Sequence, residues 1–375
     1  MTVLLFTTMR WPFAAQLAGA FAALGARVEA LCPAGSPLAL SRHIGTVHSY
    51  HAVSPMRSLA RADGPGLVIP CDDPAAELLA RYRGSSPCRR LSFLAAATAA
   101  GAPVVESMAA GDRAQLDAAI ARLGFPIVIK QDPSWGGAGV IVARDRKAAK
   151  AALTRLRRPS RLVDLVRWLR NGEASFLTFA LYPAHGEISA QRFVPGIPAT
   201  TSMACWRGKL LAGHHFDVLM TGGEEGGPAS VVVRRDCPAM EDAARRVTEA
   251  LNLSGIYGLD YMRSRDGVVH LLEMNARATP TSHLPLTHDL PAALLTAAGF
   301  PVRPRPAVTD GCEIALFPRE WRRDPASPWF SRAFHDVPWD DPKVLEASLK
   351  DAPAASSLGA LAALAGPGPK PDPAF

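Results

Sequence analysis

The stretch Gly258 to Arg277, GLDYMRSRDGVVHLLEMNAR, most constrains what this chain can fold into. Asp266-Gly267 lies between two β-prone runs, and Asp-Gly tolerates the positive φ angles that a two-residue type I′ hairpin turn requires. Taking those two residues as the loop pairs Arg265 with Val268. Counting outward then sets Asp260 directly opposite Glu273. Opposed side chains on one sheet face lie roughly 5 Å apart, and like charges so placed repel. A cation is therefore expected between them. Side chains alternate along a strand, so Asn275 and Arg277 follow Glu273 on its side. Two carboxylates, an amide oxygen and a guanidinium on one face suit Mg²⁺ held beside a phosphate, because Mg²⁺ takes carboxylates and substrate oxygens. A surface hairpin with its charges in water is the competing reading.

A chain of 375 residues exceeds one ordinary core, so two or three domains are expected. No apolar run reaches the roughly 20 residues that span a bilayer, so no membrane association is expected. The opening MTVLLFTTMRW lacks a basic segment before its apolar run, which reads as a first strand and makes a cytoplasmic location the expectation. Six scattered cysteines without a CxxC pair argue for free thiols over disulfides or zinc. The formal charge of +7 comes without a basic block. An anionic small ligand accounts for it, and a nucleic-acid partner is not expected.

In order, residues 3–8, a helix opened by Pro12 and a strand Val28 to Cys32 start a doubly wound α/β unit. The turn TTMRWPF has no glycine fingerprint for a dinucleotide. Leu67 to Pro70 reads as another strand, and Asp72 and Asp73 cap the next helix. A helix from Cys88 to Ala100 carries Arg89 and Arg90 at its start, and Gln115 to Leu123 forms another. In FPIVIKQDPSWGGAGVIVARD, Lys130 ends a strand ahead of Gly136, Gly137 and Gly139. Glycines let backbone N–H groups approach an oxyanion, and a nearby ammonium adds a point charge. A plain hairpin loop fits the same residues. Residues 145–170 read as helical, Phe176 to Leu181 and Ile188 to Val194 as strands, and Thr200 to Trp206 with Leu210 to His215 as a strand pair. Gly222 to Gly227 is a candidate lid, residues 313–318 another strand, and the tail from Ala352 is rich in Ala, Gly and Pro.

The glycine loop, the segment QRFVPG at 191–196 and the Asp…Glu-x-Asn-x-Arg hairpin, in that order, resemble the ATP-grasp superfamily. The layout is closest to its carboxylate-amine ligases and to the biotin carboxylase and carbamoyl phosphate synthetase type. The resemblance implies an α/β chain with a small doubly wound domain at 1–88 and a two-lobed ATP-grasp domain at 89–310. A nucleotide-closing lobe would occupy about 125–196 and an extension 311–375. It assigns Arg90, Lys130, Gly136, Gly137 and Gly139 to the phosphates, and Gln191, Phe193 and Val194 to the adenine. Asp260, Glu273 and Asn275 would hold Mg²⁺ or Mn²⁺, with Arg277 and Lys130 beside the transferred phosphoryl. Gln191 stands where the family commonly has Glu, and Pro198 where many members place an acid on ribose. Thr279, Thr281, Ser282 and His283 follow the strand and are expected toward the substrate. The implied activity is ATP-dependent joining of a small carboxylate to an amine through an acyl phosphate, with release of ADP. A bicarbonate-activating enzyme and a catalytically silent nucleotide-binding regulator are the alternatives. A homodimer is compatible with the layout.

Overall fold

The computed structural model describes residues 1–350 except 63, 65, 86–87, 133–138, 158–159, 183–185, 224–225 and 309–312. Three sheets follow one another along the chain. The first holds β1 (Thr2–Phe6), β2 (Arg27–Cys32), β3 (Thr46–Ser49) and β4 (Gly66–Pro70), all parallel in the order β3-β2-β1-β4. Successive β1 residues feed two cores. Val3 and Leu5 pack with Phe13, Leu17 and Phe21, while Leu4 and Phe6 pack with Leu59 and Leu78. Burial on both faces explains the unbroken apolar run in VLLF.

The second sheet comprises β5 (Ser107–Ala109), β6 (Ile127–Asp132), β7 (Val140–Ala143) and β8 (Glu187–Arg192), antiparallel in the order β5-β8-β6-β7. Ile127, Ile129, Ile188 and Ala190 form its core with helices Arg113–Leu123 and Arg146–Leu156. The third sheet takes β9 (Gly196–Trp206), β10 (Lys209–Gly223), β11 (Gly226–Arg235), β12 (Gly255–Ser264), β13 (Val269–Asn275), β14 (Glu313–Ala315) and β15 (Phe334–His335). Its order is β13-β12-β9-β10-β11-β14-β15. Helices Arg90–Ala99 and Pro238–Ala250 cover it through Phe93, Ala97, Met240 and Val247.

The segment expected as a strand at 176–181 is a helix, Ala174–Leu181. Its buried residues Ser175, Thr178 and Phe179 have helical spacing, and the Tyr50 and Thr178 hydroxyls meet at 2.6 Å. Docking of that face on the first sheet's core overrides the β propensity of FLTF. The lid candidate at 222–227 is the end of the β10–β11 hairpin, with 224 and 225 outside the described residues. The proline-rich tail from 352 also lies outside them. Among the described residues no helix is long and apolar enough to cross a membrane, and Cys32, Cys71, Cys88, Cys205 and Cys237 are free thiols.

The hairpin reaches the expected Asp260–Glu273 pairing by another route. Neither Arg265 nor Asp266 has positive φ, whereas Gly267 does, at 85°. Gly267 N–H donates to Ser264 C=O at 2.9 Å and Ser264 N–H to Val268 C=O at 2.9 Å. The loop therefore holds three residues, with glycine in the left-handed position, in place of the two-residue turn. Pairing runs Arg263 with Val269, Met262 with His270 and Tyr261 with Leu271, one residue out of the expected register. A bulge at Leu272 then restores Asp260 opposite Glu273. Two one-residue shifts cancel.

At the carboxyl edge of the first sheet the fully buried Asp72 carboxylate ties two loops together. It accepts from Thr8 N at 2.6 Å, Met9 N at 3.0 Å, Thr7 Oγ1 at 2.7 Å and Thr8 Oγ1 at 3.0 Å, and caps its own helix through Ala75 N at 2.7 Å. Replacing Asp72 by Ala should leave several buried donors unmet and cost roughly 2–4 kcal/mol of stability. Urea unfolding of the two proteins at pH 7 measures this, and a change below about 0.5 kcal/mol would contradict the account.

Candidate active site

Glu273 is the meeting point of two of the sequence-predicted cations, Arg90 and Lys130. It stands on β13, and its Oε2 accepts from Arg90 Nε at 3.1 Å, Arg90 Nη2 at 2.8 Å and Lys130 Nζ at 3.2 Å. Lys130 comes from β6, flanked by β7 and β8 in the second sheet. Arg90 begins the helix Arg90–Ala99. One carboxylate thus draws cations from two further elements. Asp132, two residues after Lys130 on the same face of β6, accepts from Arg90 N at 2.8 Å and pairs with Arg90 Nη1 at 2.5 Å. The sequence reading passed over Asp132, although its spacing from Lys130 was the available signal.

Charge environment separates the two opposed acids. Burial raises the Glu273 carboxyl, but Lys130 and Arg90 outweigh burial and hold it below the ordinary range. Burial and then the Glu273 charge push the Asp260 carboxyl up, while hydrogen bonds from Asn275 and Thr200 oppose them. Asn275 Nδ2 donates to Asp260 Oδ2 at 2.9 Å. Among the described residues Asp260 forms no ion pair, and the Arg277 charge opposes its upward shift less than the hydrogen bonds do, so this side of the pair lacks a directly bonded cation. A divalent ion between Asp260 and Glu273 would supply it, and the donor set of two carboxylates and the Asn275 oxygen fits a hard metal that completes its shell with phosphate oxygens and water. Asn275 Oδ1 also accepts from Arg277 Nη2 at 3.1 Å, and its second lone pair remains for a metal.

Arg277 continues past β13. Its Nε donates to Asp73 Oδ1 at 2.9 Å, its Nη1 to Ala278 C=O at 3.2 Å, and its guanidinium lies 5.8 Å from the centre of the Trp11 ring. Asp73 lines a recess with Glu77, Cys88, Arg90, Asp132, Glu273 and Asn275. Asp73 and Trp11 are contacts that sequence reasoning missed, because their approach to Arg277 depends on how the first sheet docks.

The remaining predicted residues fall in three places. Gly139 closes the start of β7, its C=O accepting from Gln131 N at 2.9 Å, while Gly136 and Gly137 lie outside the described residues. Gln191 is buried on β8 and donates Nε2 to Leu272 C=O at 3.1 Å, at the bulge. Phe193 and Val194 are half-buried in the short link from β8 to β9 that joins the second and third sheets, and Pro198 sits in β9 opposite Met262. Thr279, Thr281 and Ser282 are buried together. Thr279 Oγ1 donates to Ser202 Oγ at 3.0 Å, and the Ser202 and Ser282 hydroxyls meet at 2.8 Å. His283 is buried 3.5 Å from Asp336, and burial, followed by the Arg305 charge, lowers it to about 3, a neutral imidazole at physiological pH. These four side chains pack among partners from their own chain.

The family model for the carbamoyl-phosphate synthase L chain ATP-binding domain matches residues 89–163, the stretch carrying Arg90, Lys130 and the glycine loop. No curated protein sequence matches the chain. Among solved structures, the carboxyaminoimidazole ribonucleotide synthase of Aspergillus clavatus complexed with ATP is similar at 15% identity and a TM-score of 0.59, over 81% of this chain and 78% of that one. The N5-carboxyaminoimidazole ribonucleotide synthetase of Thermus thermophilus is similar at 18% identity and a TM-score of 0.57, over 80% and 79%. The biotin carboxylase domain of the Hydrogenobacter thermophilus 2-oxoglutarate carboxylase, in complex with MgADP, ADP and bicarbonate, gives 12% identity and a TM-score of 0.57, over 80% and 70%. The chain has the ATP-grasp fold.

Replacing Arg90 by Ala strips one cation from two carboxylates, Asp132 and Glu273. An expected loss of roughly 2–4 kcal/mol follows at pH 7. A depressed carboxyl adds stability that is present above its unfolded pKa and is lost as pH falls through the folded one. The difference between wild type and Arg90→Ala should therefore shrink progressively below about pH 4.3. Urea unfolding at pH 7 and pH 3 tests both the size and the sign.

Proposed function

We propose that this chain is an ATP-dependent, ADP-forming ligase that activates a small carboxylate for attack by an amine. The observation that carries the reading is the convergence on Glu273. A carboxylate faces Asp260 across a hairpin, is gripped by Lys130 and Arg90, and is followed by Asn275 and Arg277 in the ATP-grasp order. The phosphates would lie against Arg90, Lys130 and the loop of Gly136, Gly137 and Gly139. The purine would lie at the β8–β9 link, against Phe193 and the Val194 backbone, with Gln191 fixed beneath. Asp260, Glu273 and Asn275 would hold Mg²⁺, whose chemistry is to neutralise charge on the transferring phosphoryl.

In the first step a substrate carboxylate oxygen attacks the γ-phosphorus, the bond to the β-phosphate oxygen breaks, and ADP leaves. Lys130 and Arg277 are the fixed cations facing the charge that spreads over the phosphoryl oxygens. In the second step the amine nitrogen attacks the acyl carbon, inorganic phosphate leaves, and the nitrogen loses a proton. Neither step needs a strong protein base, so positioning and exclusion of water carry most of the acceleration.

One finding favours a second reading, activation of bicarbonate. The similar structures named above are carboxyaminoimidazole ribonucleotide synthases and a biotin carboxylase domain, the last bound to bicarbonate. Bicarbonate would enter the same first step in place of an organic carboxylate.

ADP formation from MgATP over a panel of amino acids, other small carboxylates and bicarbonate, with and without amines, separates these readings. Stimulation by an organic carboxylate and amine together is the expected result. Stimulation by bicarbonate alone selects the second reading, and tight MgATP binding without any stimulation selects a regulatory protein. Glu273→Gln should reduce turnover at least about hundredfold while the melting temperature stays within a few degrees. Unchanged activity in that variant would remove Glu273 from the site.

A further inference from the structure

Asp73 reads in the sequence as a helix-capping acid at a strand's carboxyl end, where substrate contact is the alternative, and it makes the one ion pair that Arg277 forms among the described residues. Asp73 opens the helix Asp73–Tyr82 directly after β4. The β1-to-β4 edge is the point where the first sheet's order reverses, and loops at the carboxyl ends of such strands form ligand crevices. Trp11 lies on the loop after β1, and Asp73 is the first residue of the helix that follows β4.

Those two turns are locked to each other and to the segment after β13 that bears Arg277. The Asp72 carboxylate bonds Thr8 N and Met9 N on the first loop. Cys71 N donates to Phe6 C=O at 2.8 Å, and Ala278 N, next to Arg277, donates to Pro70 C=O at 2.9 Å. Arg277 and Asp73 are therefore anchored through adjacent backbone before their side chains meet at 2.9 Å. The pair is mostly shielded, with side chains 12% and 24% exposed, so screening by water weakens it less than a surface pair. Asp73, Ala278 and Asn275 take one N–H each from Nε, Nη1 and Nη2. Among the described residues, one N–H on each terminal nitrogen is left for a ligand.

We infer that Asp73 is the positioning residue of Arg277: it fixes the guanidinium plane so that the two remaining N–H groups face the transferred phosphoryl. The inference rests on the reading above, in which Arg277 lies beside that group. It makes the first sheet part of the phosphoryl-transfer machinery. A guanidinium free to rotate would still supply charge, but it would have to be oriented anew in each turnover.

The test uses the full-length chain and calorimetric titration with MgADP and with the non-hydrolysable analogue MgAMPPNP, which differ in the γ-phosphoryl. Arg277→Ala should reduce the preference for MgAMPPNP over MgADP while leaving MgADP affinity nearly unchanged. Asp73→Asn, close in shape but uncharged, should reduce the same preference about tenfold. Asp73→Glu should recover part of it. Thermal melting of each variant reports the fold, and should Asp73→Asn melt early, Asp73→Glu against wild type decides. If Arg277→Ala lowers the preference and neither Asp73 variant does, the positioning role is wrong and the ligase reading stands. If Arg277→Ala has no effect, the placement of Arg277 fails and takes this inference with it.

Discussion

The site depends on a charge imbalance arranged around one carboxylate. Glu273 is shared by Arg90 and Lys130, and Arg90 is shared in turn with Asp132. Within this cluster two anions and two cations balance, so each buried charge has a partner at hydrogen-bond distance and the cost of removing it from water is offset. Asp260 lies outside that balance. It faces Glu273 across the hairpin, takes hydrogen bonds from Asn275 and Thr200, and feels the Arg277 charge without forming an ion pair among the described residues. A polyanion arriving with a divalent cation can rearrange these pairings. Its phosphates can take over Arg90 and Lys130, and the cation can take over Glu273 and supply Asp260. Nucleotide and metal are then favoured together, since either alone leaves one sign of charge in excess.

The same contact holds the architecture. Glu273 belongs to the third sheet, Lys130 to the second, and Arg90 to the helix between the first and second sheets. Gln191 adds a neutral link from the second sheet to the Leu272 carbonyl. The second sheet is tied to the third in sequence by the short 193–195 segment, and in space by polar contacts that a charged ligand can exchange. Apolar burial fixes each sheet with its own helices, whereas the seam between these two sheets joins the Glu273 ion pairs to backbone hydrogen bonds of Leu271 with Pro103 and Val105, just before β5. Ion pairs at such a seam respond to ligand charge far more than apolar cores do.

Local chemistry made the hairpin, Lys130, Arg90 and the helix-capping acids legible in the sequence. Each depends on alternation, turn residues or position at an element's start, all set within a dozen residues. The two-residue turn was an error of local chemistry, because Asp266 does not adopt positive φ and Gly267 alone does. The Asp260–Glu273 pair survived it only because the Leu272 bulge moved the register back. Residues 176–181 failed for the opposite reason. FLTFAL has enough β-branched and aromatic character to read as a strand, and only the first sheet's core, which accepts one helical face of it, decides otherwise. Thr279, Thr281 and Ser282 are polar residues soon after β13, which reads as a substrate face. Ser202 on β9 bonds the Thr279 and Ser282 hydroxyls, a contact that sequence spacing does not carry.

Asp73 and Trp11 mark where local reading ends and docking begins. Each sits in a turn whose residues look like ordinary helix entry, TTMRWP after β1 and CDDP after β4. Their contact with Arg277 spans some two hundred residues of sequence and exists because the chain after β13 hydrogen-bonds to the end of β4. Small parallel sheets of this kind place ligand-facing loops at their carboxyl edge whatever those loops contain. Here the edge presents an acid and an aromatic ring to an arginine from the segment after β13, and neither turn carries a glycine cradle for a phosphate of its own. The first sheet's contribution to the candidate site is therefore made through Arg277.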